Sequence, residues 1–437
     1  MKKRLLSVAA ATFLGIMLNA QQIKFEEYDL PNGLHVILHQ DNSAPVVTTG
    51  VMYHVGAKDE VKGRTGFAHF FEHLLFEGTP NIKRGDWFKI VSSNGGQNNA
   101  NTTNDRTYYY ETFPSNNEQL GLWMEAERMK QAVINQVGVD TQREVVKEEK
   151  RMRMDNQPYG NLLPSILSNV FTNSEYSWPT IGSMDDLNAA KLDEFLAFYK
   201  KYYVPNNAVL VVAGDIKPEQ TKKWINEYYG GIPKGAAVSR KYTKDAPITQ
   251  EKVVTVTDPN IQLPAYIYAY RTPENTNREA KVLDMVSSYL SGGKSSVLYK
   301  KLVDTDKKAL QVSANPISFE KEGVFAFFAI PMGTTAETVL RADIDAEIKK
   351  LQTTLISDED YQKLQNQFEN QFVNQNSSIQ GIAHSLADSY MLQGNTNLIN
   401  KELDIYRGIT KEEIRNAAKK YLNPNQRVIV NYLPAKK

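Results

Sequence analysis

The chain repeats a piece of itself. FLAFYKKYYVPNNAVLVVAG (195–214) is answered by IRNAAKKYLNPNQRVIVNYL (414–433). Lys200-Lys201-Tyr202 aligns with Lys419-Lys420-Tyr421 and Pro205-Asn206 with Pro424-Asn425, both at a separation of 219 residues. Each copy reads as a helix, a turn set by proline, and a valine-rich strand. Each copy also closes one half of the chain, and 437 residues are too many for one compact core. The echo therefore predicts two tandem homologous halves of the α+β class, each about the size of a single domain. Each half is expected to be an α/β sandwich, with a mixed or antiparallel sheet covered by helices. The boundaries predicted are 21–230 for the first half, a linker over 231–250 rich in Gly, Pro, Lys and Ser, and 251–437 for the second half.

Local pattern fills in the first half. YDLPNGLHVILHQDN (28–42) reads as two strands around a Pro-Asn-Gly turn, and APVVTTGVMYHVG (44–56) as a strand. GFAHFFEHLLFEG switches to helical spacing and runs to Gly78. A second helix is expected over 85–96, strand over 97–114, and helices over 116–134 and 140–157. TPENTNREAKVLDMVSSYLSGGKSSVLYKKLV (272–303) takes the corresponding place in the second half but has no histidine.

The opening MKKRLLSVAAATFLGIMLNAQQ has a basic start, an apolar run too short to span a bilayer, and LNA before Gln21. This is the layout of a signal peptide, residues 1–20, cleaved after Ala20, and it implies export to a bacterial periplasm. The chain has no cysteine, which excludes disulfides, thiolate zinc sites and cysteine nucleophiles. Any metal must be held by His, Asp or Glu. A net charge of +1 gives no electrostatic footprint for nucleic acid.

Two of the six histidines lie in HFFEH (69–73). On a helix, positions i and i+4 share a face, so His69 and His73 can converge on one point with Glu72 beside it. Two such imidazoles are a common helical ligand pair for Zn²⁺. A third protein ligand leaves the fourth position for water. A nearby carboxylate, here Glu72, can take that water's proton. The order H-x-x-E-H is the inverzincin motif. Phe and Leu on both sides of the polar triplet predict a buried helix, in which polar groups need partners. Glu77 is one residue out of phase for the third ligand. The acidic cluster TQREVVKEEKR (141–151) supplies Glu144, Glu148 and Glu149, and helical phase alone does not choose among them. Glu144 and Glu148 read more simply as a solvated, ion-paired face.

These residues resemble the pitrilysin/insulinase family of inverted-zincin zinc metallopeptidases, in its shorter branch typified by mitochondrial processing peptidase and bacterial relatives. The likeness runs from LPNGLHVIL through GFAHFFEHLLFEGT, GGQNNANTTNDRTYYY and QREVVKEEKR to AVLVVAGDI and the second half. It implies a zinc endopeptidase acting on peptides or small unfolded polypeptides, with one Zn²⁺ per chain. His69 and His73 match the zinc histidines, Glu72 the general base, and Glu149 the distal ligand, with Glu148 as runner-up. The family's supporting glutamate, seven residues earlier, is Gln142 here. Asn99 and Ala100 match an edge strand that pairs with substrate backbone. The arginine and tyrosine that the second domain usually gives to substrate fall at Val297 and Leu310. The resemblance therefore implies that the chain forms one half of a clamshell. Its partner would be an identical chain or a second family subunit that supplies the missing substrate contacts. The altered Gln142, Val297 and Leu310 also admit a non-catalytic assembly subunit.

Overall fold

The computed structural model describes residues 22–435; the expected signal peptide lies outside them. The first half contributes β1 (Glu26–Asp29), β2 (His35–Gln40), β3 (Val46–Tyr53), β4 (Gln97–Thr102), β5 (Thr107–Pro114) and β6 (Ala208–Gly214). These form one sheet in the order β1-β2-β6-β3-β5-β4. The second half contributes β7 (Lys252–Asp258), β8 (Ala265–Thr272), β9 (Ala309–Ser318), β10 (Gly323–Pro331) and β11 (Arg427–Pro434), in the order β7-β11-β8-β10-β9.

The two sheets follow one plan. β6 lies parallel to β2 and antiparallel to β3; β11 lies parallel to β7 and antiparallel to β8. The echoed strands thus hold the same central place in each half. The first sheet adds only the edge strand β1. The segment 97–114 is a hairpin, β4 and β5, rather than continuous strand. Thr103 Oγ1 accepts the N–H groups of Asp105 (3.2 Å) and Arg106 (3.1 Å) and closes the turn.

The run AVLVVAG of β6 is buried throughout, as expected for a strand covered on both faces. Alternate residues divide between two cores. Leu210 and Val212 join Val36, Leu38, Val51 and the helices of the first half. Val209, Val211 and Ala213, with Ile37, Met52 and Tyr108, pack on Ile382, Ala383, Leu386 and Ala387. Those four residues belong to the helix Ile379–Gln393 of the second half. The exchange is mutual: Ile166, Leu167 and Val170, on the helix Leu162–Val170 of the first half, pack on Ile267, Ala269, Val428 and Val430 of the second sheet. Each half therefore covers one face of the other's sheet.

Residues 233–249 form neither helix nor strand, yet they are tied down. Arg240 donates to Asp59 (2.9 Å) and Asn207 (2.8 Å), and Asp245 accepts the N–H groups of Thr172 and Asn173 (both 2.9 Å). This stretch is a fixed strap. A fragment of residues 22–250 would expose Ile37, Met52, Tyr108, Val209 and Val211 together, and a contiguous apolar face of that kind drives association. The expected outcome is an aggregating fragment that becomes soluble on co-expression with 251–435; size-exclusion chromatography of both preparations checks it.

Candidate metal centre

The helix Phe67–Leu74 is held in place from three sides. Gly66, at its N-cap, has φ +91°, and a Cβ there would meet the Ile181 carbonyl oxygen at 2.7 Å, so glycine is required. The buried Glu60 carboxylate accepts the N–H groups of Gly66 (2.8 Å) and Ala68 (2.9 Å), donors that no residue inside the helix can satisfy. Phe67, Phe70 and Phe71 pack against Phe195. Toward the C-terminus, Tyr109 Oη donates to the Phe71 carbonyl (2.9 Å) and Arg128 Nη1 to the Leu75 carbonyl (2.9 Å).

Arg128 is fully buried. Its guanidinium lies 4.0 Å from the Trp87 ring centroid, 4.4 Å from Phe76 and 4.5 Å from Tyr109. It also pairs with Glu125 (3.1 Å) and Glu111 (3.4 Å), both fully buried. Burial, then the neighbouring Glu125, push the Glu111 carboxyl well above the ordinary range.

His69, Glu72 and His73 leave this apolar scaffold on one side. Opposite them, the helix Gln136–Lys150 presents Glu149. Glu149 Oε2 lies 3.1 Å from His73 Nε2 and 3.5 Å from His69 Nε2. One ligand atom from each of the three residues falls within 4.8 Å of the others. Ligands about 2.1 Å from a tetrahedral zinc stand about 3.4 Å apart, so these two separations suit zinc. Burial, and then His73, lower the His69 pKa to about 4, which keeps its imidazole neutral and its lone pair free. For Glu149, burial acts upward, but the hydrogen bond with His73 and the charges of His69, His73 and Arg153 outweigh it and leave the carboxyl below its ordinary value. Its other oxygen, Oε1, pairs with Arg153 at 2.7 Å. Two imidazoles and a carboxylate make a donor set that fits a divalent zinc.

Glu72 lies beside this group. Burial raises its pKa, opposed by the hydroxyl of Thr102, which donates to Oε2 at 2.7 Å. Thr102 is the last residue of β4, and β4 is the outermost strand of its sheet, paired on one side only with β5. Asn99, Ala100, Asn101 and Thr102 line the same cleft as His69, Glu72, His73 and Glu149. The cleft holds roughly 900 Å³, and its apolar wall includes Phe76, Phe88, Val145, Met152 and Ile181. Asn99 sits within strand, with its side-chain Oδ1 accepting the N–H of Ala100 at 2.9 Å.

The other acidic candidates stand outside the ligand group, although Glu148 also lines the cleft. Glu144 pairs with Lys147 (2.9 Å) and Glu148 with Arg151 (3.0 Å), each within its own helix. Gln142 does not touch the histidines; its amide donates to Glu77 Oε1 at 2.6 Å. Neither Val297 nor Leu310 lines the cleft. Leu310 is an exposed residue of β9, the outer strand of the second sheet. Reading the sequence overlooked Glu60, Thr102, Arg128 and Arg153. Only Arg128 left a trace, as the single cation of LWMEAERM, with Glu125 three residues before it.

Residues 35–183 match the family described as Insulinase (Peptidase family M16), and residues 189–368 match Peptidase M16 inactive domain. The second matched region contains no histidine, and the one histidine of the second half, His384, lies beyond it. The chain is 28% identical over 439 residues to the zinc protease PqqE of Helicobacter pylori, covering 99% of each. It is 23% identical to the beta subunit of the mitochondrial-processing peptidase of Blastocladiella emersonii, over 54% of this chain and 50% of that one. The crystal structure of a protease from Helicobacter pylori superposes with a TM-score of 0.89 at 28% identity, covering 94% of this chain and all of the other.

Proposed function

This chain belongs to the insulinase family, peptidase family M16, and on that footing we propose that it is an exported zinc endopeptidase for peptides or small unfolded polypeptides. The observation that carries the reading is the convergence of His69, His73 and Glu149 within 4.8 Å, with Glu72 beside them in an open cleft. His69, His73 and Glu149 would hold a zinc ion, which would supply Lewis acidity there. The chain's own residues do the rest. Glu72 takes the proton of the attacking water and returns it to the leaving amine nitrogen. Thr102 aims the Glu72 carboxylate. The free edge of β4, at Asn99 and Ala100, pairs with the substrate backbone as an added strand and places the scissile bond over Glu72. The apolar wall of the cleft receives side chains of the bound peptide.

The cleft lies open, and Val297 and Leu310 stand outside it. This supports a two-chain clamshell in which a second copy or a related subunit completes the substrate contacts. Among the described residues no helix is long and apolar enough to cross a membrane. Export rests on residues 1–20, and a periplasmic location is part of the same proposal.

The test is cleavage of an internally quenched peptide by purified protein, before and after chelation and after zinc is restored. Activity lost with the metal and recovered with zinc supports the reading. Protein that folds and associates but neither takes up zinc nor cleaves when zinc is supplied overturns it in favour of an assembly role. Thr102→Val gives a finer check. The Thr102 hydroxyl favours ionised Glu72, and its removal raises the Glu72 pKa. The base must be ionised to work, so the acid limb of the pH–activity profile moves to higher pH while the rate on the plateau changes little.

A further inference from the structure

We infer that the Glu77–Gln142 hydrogen bond is a latch that sets the spacing of the two ligand-bearing helices, and that its single carboxylate must sit on residue 77 because residue 142 is an amide. The inference rests on the zinc site proposed above. Glu77 follows the Phe67–Leu74 helix directly: its N–H reaches the Leu74 carbonyl at 3.0 Å, and the turn closes at Gly78, φ +107°. Its side chain crosses to the helix Gln136–Lys150. There Gln142 Nε2 donates to Oε1 at 2.6 Å, and a Cβ on Gly138 would lie only 3.4 Å from Glu77 Cγ and Oε2. Arg84 closes the group by donating to both carboxylate oxygens.

Gln142 lies seven residues before Glu149, two turns along the same helical face. Glu77 lies four residues after His73. The contact thus ties the end of the histidine-bearing helix to the second helix two turns before Glu149. Glu77 is buried, so it needs a partner with a free N–H, and the half-buried Gln142 supplies one. A glutamate at 142 would set two carboxylates at hydrogen-bond distance with one half-exposed arginine between them. Glu77 and Gln142 are positioning residues; neither reaches the metal group itself.

A charge-swap cycle tests this. Gln142→Glu is expected to weaken zinc binding at least about tenfold, measured by chelator competition, the scale usual for groups that orient metal ligands. Adding Glu77→Gln restores an amide–carboxylate pair with its polarity reversed, and zinc affinity should return to within about threefold of wild type. Catalysis should follow through kcat rather than KM. Wild-type zinc affinity in Gln142→Glu, or a double variant no better than the single, overturns the latch. The metal-free protein gives the same cycle independently in its unfolding midpoint: Gln142→Glu lowers it and the double variant recovers it. If wild-type protein binds no zinc, the zinc reading fails on its own, and additive midpoints in this second cycle overturn the latch separately.

Discussion

Glu72→Gln should hold zinc as tightly as wild type and cleave peptide at least about 100-fold more slowly, with losses up to about 10,000-fold expected for a general base. Glutamine has the same shape, keeps an oxygen to accept the Thr102 hydroxyl, and lies outside the His69–His73–Glu149 group. It cannot take a proton. The loss should fall on kcat, since the β4 edge proposed to bind the peptide is untouched. Zinc content and steady-state kinetics on the same preparation separate this from a metal defect. A variant that keeps wild-type kcat would remove Glu72 from the chemistry.

Arg128→Leu should destabilise the protein by about 3–5 kcal/mol, the scale for breaking a buried ion pair from one side. The substitution strips the cation from Glu125 and Glu111 in a site with no access to water and deprives the Leu75 carbonyl of its donor. It also leaves a space between three aromatic rings. Denaturant unfolding followed by tryptophan fluorescence measures it, Trp87 being in direct contact with the guanidinium. Because the lost donor anchors the end of the histidine-bearing helix, zinc affinity should fall as well. Replacing Glu111 and Glu125 by Gln in the same chain should recover part of the stability, since the uncompensated charge is most of the penalty. Equal instability with and without those replacements would contradict that account.

The repeated helix–turn–strand was legible because it recurs as sequence, and β6 and β11 take equivalent central places in their sheets. The cover of each sheet was not. A run such as AVLVVAG says that both faces are buried but not by what. The helix Ile379–Gln393, which covers one face, lies more than 160 residues away in the chain. Similar limits hold at the site. The spacing of His69, Glu72 and His73 makes them neighbours on any helix. The acidic side chain that meets them depends on how a second helix crosses the first, which no periodicity within 141–151 encodes. Glu60 and Thr102 act from a loop and a strand end through tertiary contact alone, and neither stands in a local pattern.

The most direct measurement is an anomalous scattering map at the zinc edge from crystals of the zinc-loaded protein. One peak per chain is expected, within bonding distance of His69, His73 and Glu149, with Glu72 beside it and not bonded to it. A peak held by other residues, or none at full zinc loading, would contradict the proposed zinc site.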